Sequence, residues 1–199
     1  MDKIKLGVLV GGTSIEREVS KKSCENLLAN LDENKYDITV YNLPADSNTE
    51  WAKNIISNPP QIVLSALHGG NGENGSIQGF LHCLNIPYIG SKVLSSAICM
   101  NKAMAKTVMK ANHIQVPDHV FVMRGVDFSQ YEESIKLMGF PLIVKPNRGG
   151  SSIGVIVARN MEDIHYGIKN IMETYDDDVL IEKFIDGKEI NCCVLQGEN

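Results

Sequence analysis

Across residues 4–95, short apolar runs alternate with amphipathic stretches. Leu6–Val10 is an apolar run closed by Gly11-Gly12-Thr13-Ser14. From Ile15 to Leu31 apolar residues recur at helical spacing, with Val19, Cys24, Leu27, Leu28 and Leu31 on one stripe. Thr13 and Glu16 have the spacing of a capping box at its start. Tyr36–Leu43 predicts a second strand, and Trp51–Ile56 a short helix halted before Pro59-Pro60. Gln61–Leu67 predicts a third strand and Ser76–Leu84 another helix. This strand–helix–strand order predicts a parallel sheet covered on both faces, with binding groups at the carboxyl ends of its strands. Two glycine-rich loops, residues 11–14 and 68–75, fall at those ends.

The pattern changes near Ile89–Ser95. Leu94 to Asn112 reads as one helix, with Ile98, Ala105, Val108 and Met109 as its apolar points. Val120–Met123 then predicts a strand, Tyr131–Met138 a helix and Leu142–Lys145 a strand, with Ile153–Ala158 pairing back antiparallel. Met161–Thr174 is amphipathic, and Val179–Phe184 and Glu189–Leu195 predict strands on either side of Asp186-Gly187. The second part is therefore an α+β unit of β-α-β-β-α-β order, distinct from the α/β first part. The expected division is residues 1–93, residues 94–178, and residues 179–199 as the start of a further, incomplete unit. The last strand lacks partners in this reading and a turn follows it, so the expectation is that the unit continues past Asn199.

Composition narrows the classes. The chain has 199 residues, 43% of them hydrophobic, which is enough for a core in one large or two small domains. A formal net charge of −5 with no Lys/Arg run argues against a general nucleic-acid surface. No apolar segment approaches membrane-spanning length, and the N-terminus enters a strand without a signal-peptide cleavage site, so a cytoplasmic protein is expected. The 5 cysteines (Cys24, Cys83, Cys99, Cys192 and Cys193) form no C-x-x-C pair and sit among apolar neighbours, which predicts buried free thiols. The histidines lie far apart, with no metal-binding helix pair, so no metal ligand is assigned.

The stretch with most chemistry is Phe140 to Val155. A buried strand delivers Lys145 to its end, and Gly149-Gly150-Ser151-Ser152 follow. Glycine lets backbone N–H groups approach phosphate oxygens, serine adds hydroxyl donors, and lysine supplies a point charge. The lysine precedes the glycines, so this is not a Walker A loop. Taken alone it reads equally as a hairpin with a Gly/Ser tip. Two further elements stand with it: Lys102 within a helix, and Val179-Leu180-Ile181-Glu182-Lys183-Phe184 followed by Glu189. That strand pair suits a nucleoside. Backbone beside Glu182 can meet an adenine edge, apolar side chains can sandwich the ring, and Glu189 can accept from ribose hydroxyls.

At these residues the chain resembles the ATP-grasp superfamily, and within it the D-alanine–D-alanine ligase family. The resemblance is carried by five ordered motifs: Gly11 to Ser20, Ala66 to Gly79, Met100-Asn101-Lys102, Lys145-Pro146 with Gly150-Ser151-Ser152-Ile153-Gly154, and Leu180-Ile181-Glu182-Lys183. It implies a Rossmann-like, parallel-sheet N-terminal domain (pre-ATP-grasp) followed by an α+β ATP-grasp central domain. It also implies D-alanine and ATP as substrates, Mg2+ as cofactor, a role in peptidoglycan precursor synthesis and a homodimer. By the same resemblance Glu16 meets the ammonium of the first D-alanine, and His68 lies near its carboxylate. Ser151 hydrogen-bonds the glutamate and, with Ser152, covers the nucleotide. Lys102 and Lys145 reach its phosphates, Glu182 and Lys183 its adenine, and Glu189 its ribose. The implied reaction phosphorylates the first carboxylate and then lets the second amine displace phosphate.

Each residue also has an ordinary reading on its own. Glu16 is a first-turn acid, His68 bonds its own loop, Lys102 is a solvated helix lysine, and Glu182 and Glu189 are surface strand residues. Two positions depart from the family, Gly149 in a looser loop and Asn101 where aspartate is common. The resemblance places the magnesium carboxylates and an oxyanion-stabilising arginine in a C-terminal portion that the residues up to Asn199 do not include. The expectation is that the chain by itself does not ligate, with a truncated nucleotide- or D-amino-acid-binding homologue as the alternative. A relative using D-lactate or D-serine second is the other open choice.

Overall fold

The computed structural model describes residues 2–46 and 48–194. Its first region is a parallel sheet of β1 (Ile4–Gly11), β2 (Tyr36–Leu43) and β3 (Ile62–Ser65), in the order β2-β1-β3. The central strand runs in full register with β2, Ile4 opposite Tyr36 through Gly11 opposite Leu43. Strand alternation separates two cores. Leu6, Val8 and Val10 pack with Cys24 under α1 (Arg17–Asn30), while Leu9, Tyr41, Leu43 and Val63 pack on the other face with Ile55 and Leu81. Those last two come from α2 (Glu50–Ser57) and α4 (Ser76–Cys83). Between β3 and α4 the second glycine-rich loop contains a single helical turn, α3 (Gly70–Glu73). Every β1 residue from Leu6 to Gly11 is buried, as a strand covered on both faces requires.

The expected helix over 94–112 is two helices, α5 (Val93–Met100) and α6 (Lys102–Ala111). Asn101 breaks it with an extended backbone, and its side chain accepts from the Met104 N–H at 3.0 Å. An asparagine that can cap a new helix competes with continuing the old one. The capping box predicted from Thr13 and Glu16 does not form. Glu16 takes the cap position without a side-chain cap bond, and Ser14 Oγ instead accepts from the Glu16 N–H. Val19, expected on the buried stripe of α1, is 49% exposed.

The second region is an antiparallel sheet of order β4-β7-β5-β6. Its strands are β4 (His119–Val122), β5 (Leu142–Pro146), β6 (Ile156–Ala158) and β7 (Val179–Lys183). Leu142, Val144, Val179 and Ile181 face a core built with Ile164, Ile168 and Ile171 of α8 (Met161–Thr174) and Ile135 of α7 (Glu132–Met138). A 3₁₀ turn (Phe128–Tyr131) precedes α7. The expected unit border before Val179 falls inside this sheet, at the start of a strand paired on both sides. The strand expected over Glu189–Leu195 is not present in residues 189–194, and Leu195 lies outside the described residues. No strand among the described residues runs beside it to take its backbone hydrogen bonds, and Ile190 and Val194 stay exposed. The cysteines are all free, but only Cys24 is buried; Cys83, Cys99, Cys192 and Cys193 are exposed, against expectation. A small apolar side chain fits either side of an amphipathic element, so its neighbours in sequence do not decide its burial.

Candidate active site

Alternation along β5 and β7 builds the centre of the site. With Leu142 and Val144 in the core, Ile143 and Lys145 point to the opposite face; with Val179 and Ile181 in the core, Leu180 and Glu182 do the same. The register pairs Ile143 with Glu182 and Lys145 with Leu180, which makes Lys145 and Glu182 diagonal neighbours. Their ammonium and carboxylate form an ion pair. The second carboxylate oxygen of Glu182 lies 2.8 Å from the Lys106 Nζ. Burial works to raise the Glu182 carboxyl, but Lys106 and Lys145 outweigh it and hold the group below its ordinary range.

Lys102 opens α6, whose first N–H groups are all satisfied. The Lys102 N–H donates to the Asn147 carbonyl at 3.1 Å and the Ala103 N–H to Asn147 Oδ1 at 3.0 Å, while Asn101 takes the next two. Asn147, fully buried, thereby fastens the loop after β5 to the helix carrying Lys102. The Lys102 ammonium donates to the carbonyl of Gly149 in that loop. Burial and then repulsion from Lys145 push the Lys102 ammonium below its ordinary pKa, against the opposing pull of Asp177 and Glu182. A cation held against its preference for solvent favours an incoming anion.

The Gly/Ser loop is held from the other side by Asp177, which accepts from the Arg148 N–H at 2.6 Å and from its guanidinium at 3.4 Å. Ser151 and Ser152 follow at positive φ, 49° and 57°. Ser151 Oγ donates to Glu16 Oε1, joining the loop of the antiparallel sheet to the edge of the parallel one. Glu16 is also crowded by Gly69, where an added Cβ would stand 2.4 Å from Oε2. Gly69 also stands at φ +63°, where a side chain would be strained. His68 faces away from this contact: its Nε2 is 2.8 Å from Ser23 Oγ and its Nδ1 4.0 Å from Glu73 Oε1.

Lys102, Lys145, Ser151, Ser152, Glu182, Lys183 and Glu189 all line one cavity of about 510 Å3 between the loop and the end of β7. Glu16 lines a neighbouring cavity of about 820 Å3 that shares Lys102, Gly149 and Gly150 with the first. His68 lies on a third, smaller cavity with Gly11, Gly12 and Ser14, so Glu16 and His68 are adjacent but not on one wall. Sequence reasoning missed Lys106, Asn147 and Asp177. The available signal for Lys106 was its place four residues after Lys102, on the same helix face. Among the described residues no three His, Cys, Asp or Glu side chains converge to hold a metal, and no helix is long and apolar enough to cross a membrane.

Comparison with known proteins finds relatives over nearly the whole chain. Residues 45–91 match the family model of the D-ala D-ala ligase N-terminus, and residues 108–199 that of the D-ala D-ala ligase C-terminus. A D-alanine–D-alanine ligase of Bacillus anthracis is 40% identical over 196 residues, covering 98% of this chain and 62% of the relative. The crystal structure of the Bacillus anthracis D-alanine–D-alanine ligase complexed with ATP superposes with a TM-score of 0.80 at 35% identity, over 92% of this chain and 60% of that one. The VanG D-Ala:D-Ser ligase of Enterococcus faecalis superposes with a TM-score of 0.77 at 27% identity, over 94% and 64%. The chain thus spans somewhat under two thirds of the length of these relatives.

Proposed function

The chain belongs to the D-alanine–D-alanine ligase family, and from that membership we propose that it supplies the nucleotide and first-substrate groups of an ATP-dependent carboxylate–amine ligation. The observation that carries this reading is the convergence of seven polar residues from α6, β5, the Gly/Ser loop, β7 and the segment after it on one cavity. Lys102 and Lys145 neutralise phosphate charge, and Ser151 and Ser152 lie over the same groups. Glu182 and Lys183 border the adenine, and Glu189 accepts from the ribose. Glu16 receives the ammonium of the first D-alanine, and His68 stands near its carboxylate. The first carboxylate oxygen takes the terminal phosphoryl group as ADP departs. The second amine then forms the peptide bond and phosphate leaves. This chain's part is positioning and charge neutralisation.

Mg2+ belongs to the family expectation, but the described residues offer no ligand set for it, and no step here runs through it. A homodimer, a cytoplasmic location, a role in peptidoglycan precursor synthesis, and a division into residues 1–93 and a following unit that includes β7 belong to the same reading. The likeness to a D-Ala:D-Ser ligase favours D-serine as the second substrate to set beside D-alanine.

The test is calorimetric titration of the chain with ATP, alongside Lys145→Met. ATP should bind and raise the melting temperature, and the variant should bind about a hundredfold more weakly, as expected for a partly buried charge pair. Equal ATP affinity in the two proteins, or no binding by the wild type, would remove the basis of the reading.

A further inference from the structure

We propose that Lys106 is a positioning residue of the nucleotide cavity: it keeps Glu182 paired so that Lys145 can leave that carboxylate for a phosphate. The proposal rests on the reading of the cavity as an ATP site. Two lysines hold one carboxylate, and their placement differs. Lys102 and Lys145 line the cavity, whereas Lys106 is not among its lining residues although its Nζ lies 2.8 Å from Glu182 Oε2. Glu182 is only 7% exposed, with one oxygen on Lys145 and the other on Lys106. A phosphate entering the cavity competes with Glu182 for the Lys145 ammonium. With Lys106 in place, the buried carboxylate retains an ion pair when Lys145 turns away. Without it, Glu182 would either hold Lys145 back from the phosphate or take up a proton, because an unpaired buried charge is costly.

The arrangement follows from two periodicities. Lys102 and Lys106 are four apart on α6, so both face the strand surface that carries Lys145 and Glu182. From the remaining strand, His119 is the register partner of Glu182, but its Nδ1 lies 3.0 Å from the Pro117 carbonyl. Lys102 spends its ammonium on the Gly149 carbonyl. Lys106 is therefore the group left to pair Glu182 once Lys145 departs.

The experiment titrates wild type, Lys106→Met and Lys106→Arg with ATP and with adenosine between pH 5.5 and 8, each in two buffers of different ionisation heat. At pH 8 the Met variant should bind ATP about tenfold more weakly and take up about one proton, with the deficit shrinking toward pH 5.5. Adenosine, having no phosphate to draw Lys145, should bind all three proteins alike, and arginine should restore wild-type ATP binding. Equal losses for ATP and adenosine, or a deficit independent of pH, would overturn the proposal in favour of a packing role. If wild type binds neither ligand, the ATP reading fails first. Carbon-13 titration of the Glu182 carboxyl with tripolyphosphate as the probe then decides the proposal: the carboxyl should titrate higher in the Met variant and higher still with the probe, and an unchanged midpoint would refute it.

Discussion

The two binding edges of this molecule are built by opposite means. At the end of the parallel sheet, the groups sit on glycine-rich loops, and backbone geometry brings them together. Gly11 stands at φ +93°, the Gly12 N–H donates to the Leu43 carbonyl at 2.7 Å, and Gly69 lies against Glu16. On the antiparallel sheet, the groups sit on strand faces, and buried charge holds them: Lys145 and Lys106 grip Glu182 over a core that leaves Val144, Val179 and Ile181 fully buried. The first edge should thus be sensitive to an atom added at Gly11, where the nearest neighbour is backbone. The second should tolerate shape changes at its mouth and respond to the protonation of one carboxylate.

Gly11→Ala tests the first half of that contrast and should have the largest effect on stability. A Cβ there would meet the Leu43 carbonyl oxygen at 2.4 Å and would force alanine into the left-handed region. The expected cost is about 2–3 kcal/mol, from backbone strain together with the clash. The chain's single tryptophan, Trp51, packs edge-on against Phe80 in the parallel-sheet core, so its fluorescence during urea unfolding reports this region. A midpoint equal to that of wild type would show that the edge can rearrange around a side chain.

Acid titration tests the second half. The folded Glu182 carboxyl lies below its ordinary value of 4.5, so its contribution to stability is complete above that pH and is lost as pH falls through the folded value. Glu182→Gln should flatten the loss of stability below pH 4.5 while lowering stability at neutral pH, where Lys106 and Lys145 would lose their common counter-charge. Glu132→Gln is the comparison. Lys136 lowers that carboxyl too, but the pair is exposed and its removal should barely move the curve. Amide exchange of β5 and β7 followed from pH 3 to 7 would separate the two variants. Parallel acid limbs in wild type and Glu182→Gln would mean that the buried pair does not govern this region.

The same contrast explains how much of the molecule could be read in its sequence. Elements with a clear period were legible because alternation and helical spacing are local: the strand Tyr36–Leu43 and the helix Met161–Thr174 have the bounds their patterns predict. Lys145 and Glu182 were legible because each ends or interrupts an apolar run. What depends on distant partners was not. Asn101 divides a continuous helical pattern, but the new helix start is completed by Asn147, far along the chain. Lys106 looks like any solvated helix lysine until β7 sets Glu182 beneath it. Glu16 fits a capping box by spacing, yet its carboxylate bonds Ser151 from the other sheet. Glu189–Leu195 has the composition of a strand, and composition alone does not supply a neighbour to pair with.

The smallest expected effect lies where the two edges meet. Ser151 and Glu16 are joined by one side-chain hydrogen bond between loops, and Ser151 is exposed. Ser151→Ala removes that bond while leaving the Lys145–Glu182–Lys106 cluster and the glycine contacts around Glu16 in place. A partly solvated bond to a carboxylate contributes about 0.5–1 kcal/mol, so the melting temperature should scarcely change. The sensitive readout is local. Amides of residues 149–153 should exchange faster in the variant, because the loop loses its anchor on the parallel sheet, while exchange in β5 and β7 should stay as in wild type. If the loop and the β7 amides accelerated together, the two edges would be one cooperative unit, and their separate construction would carry no energetic weight.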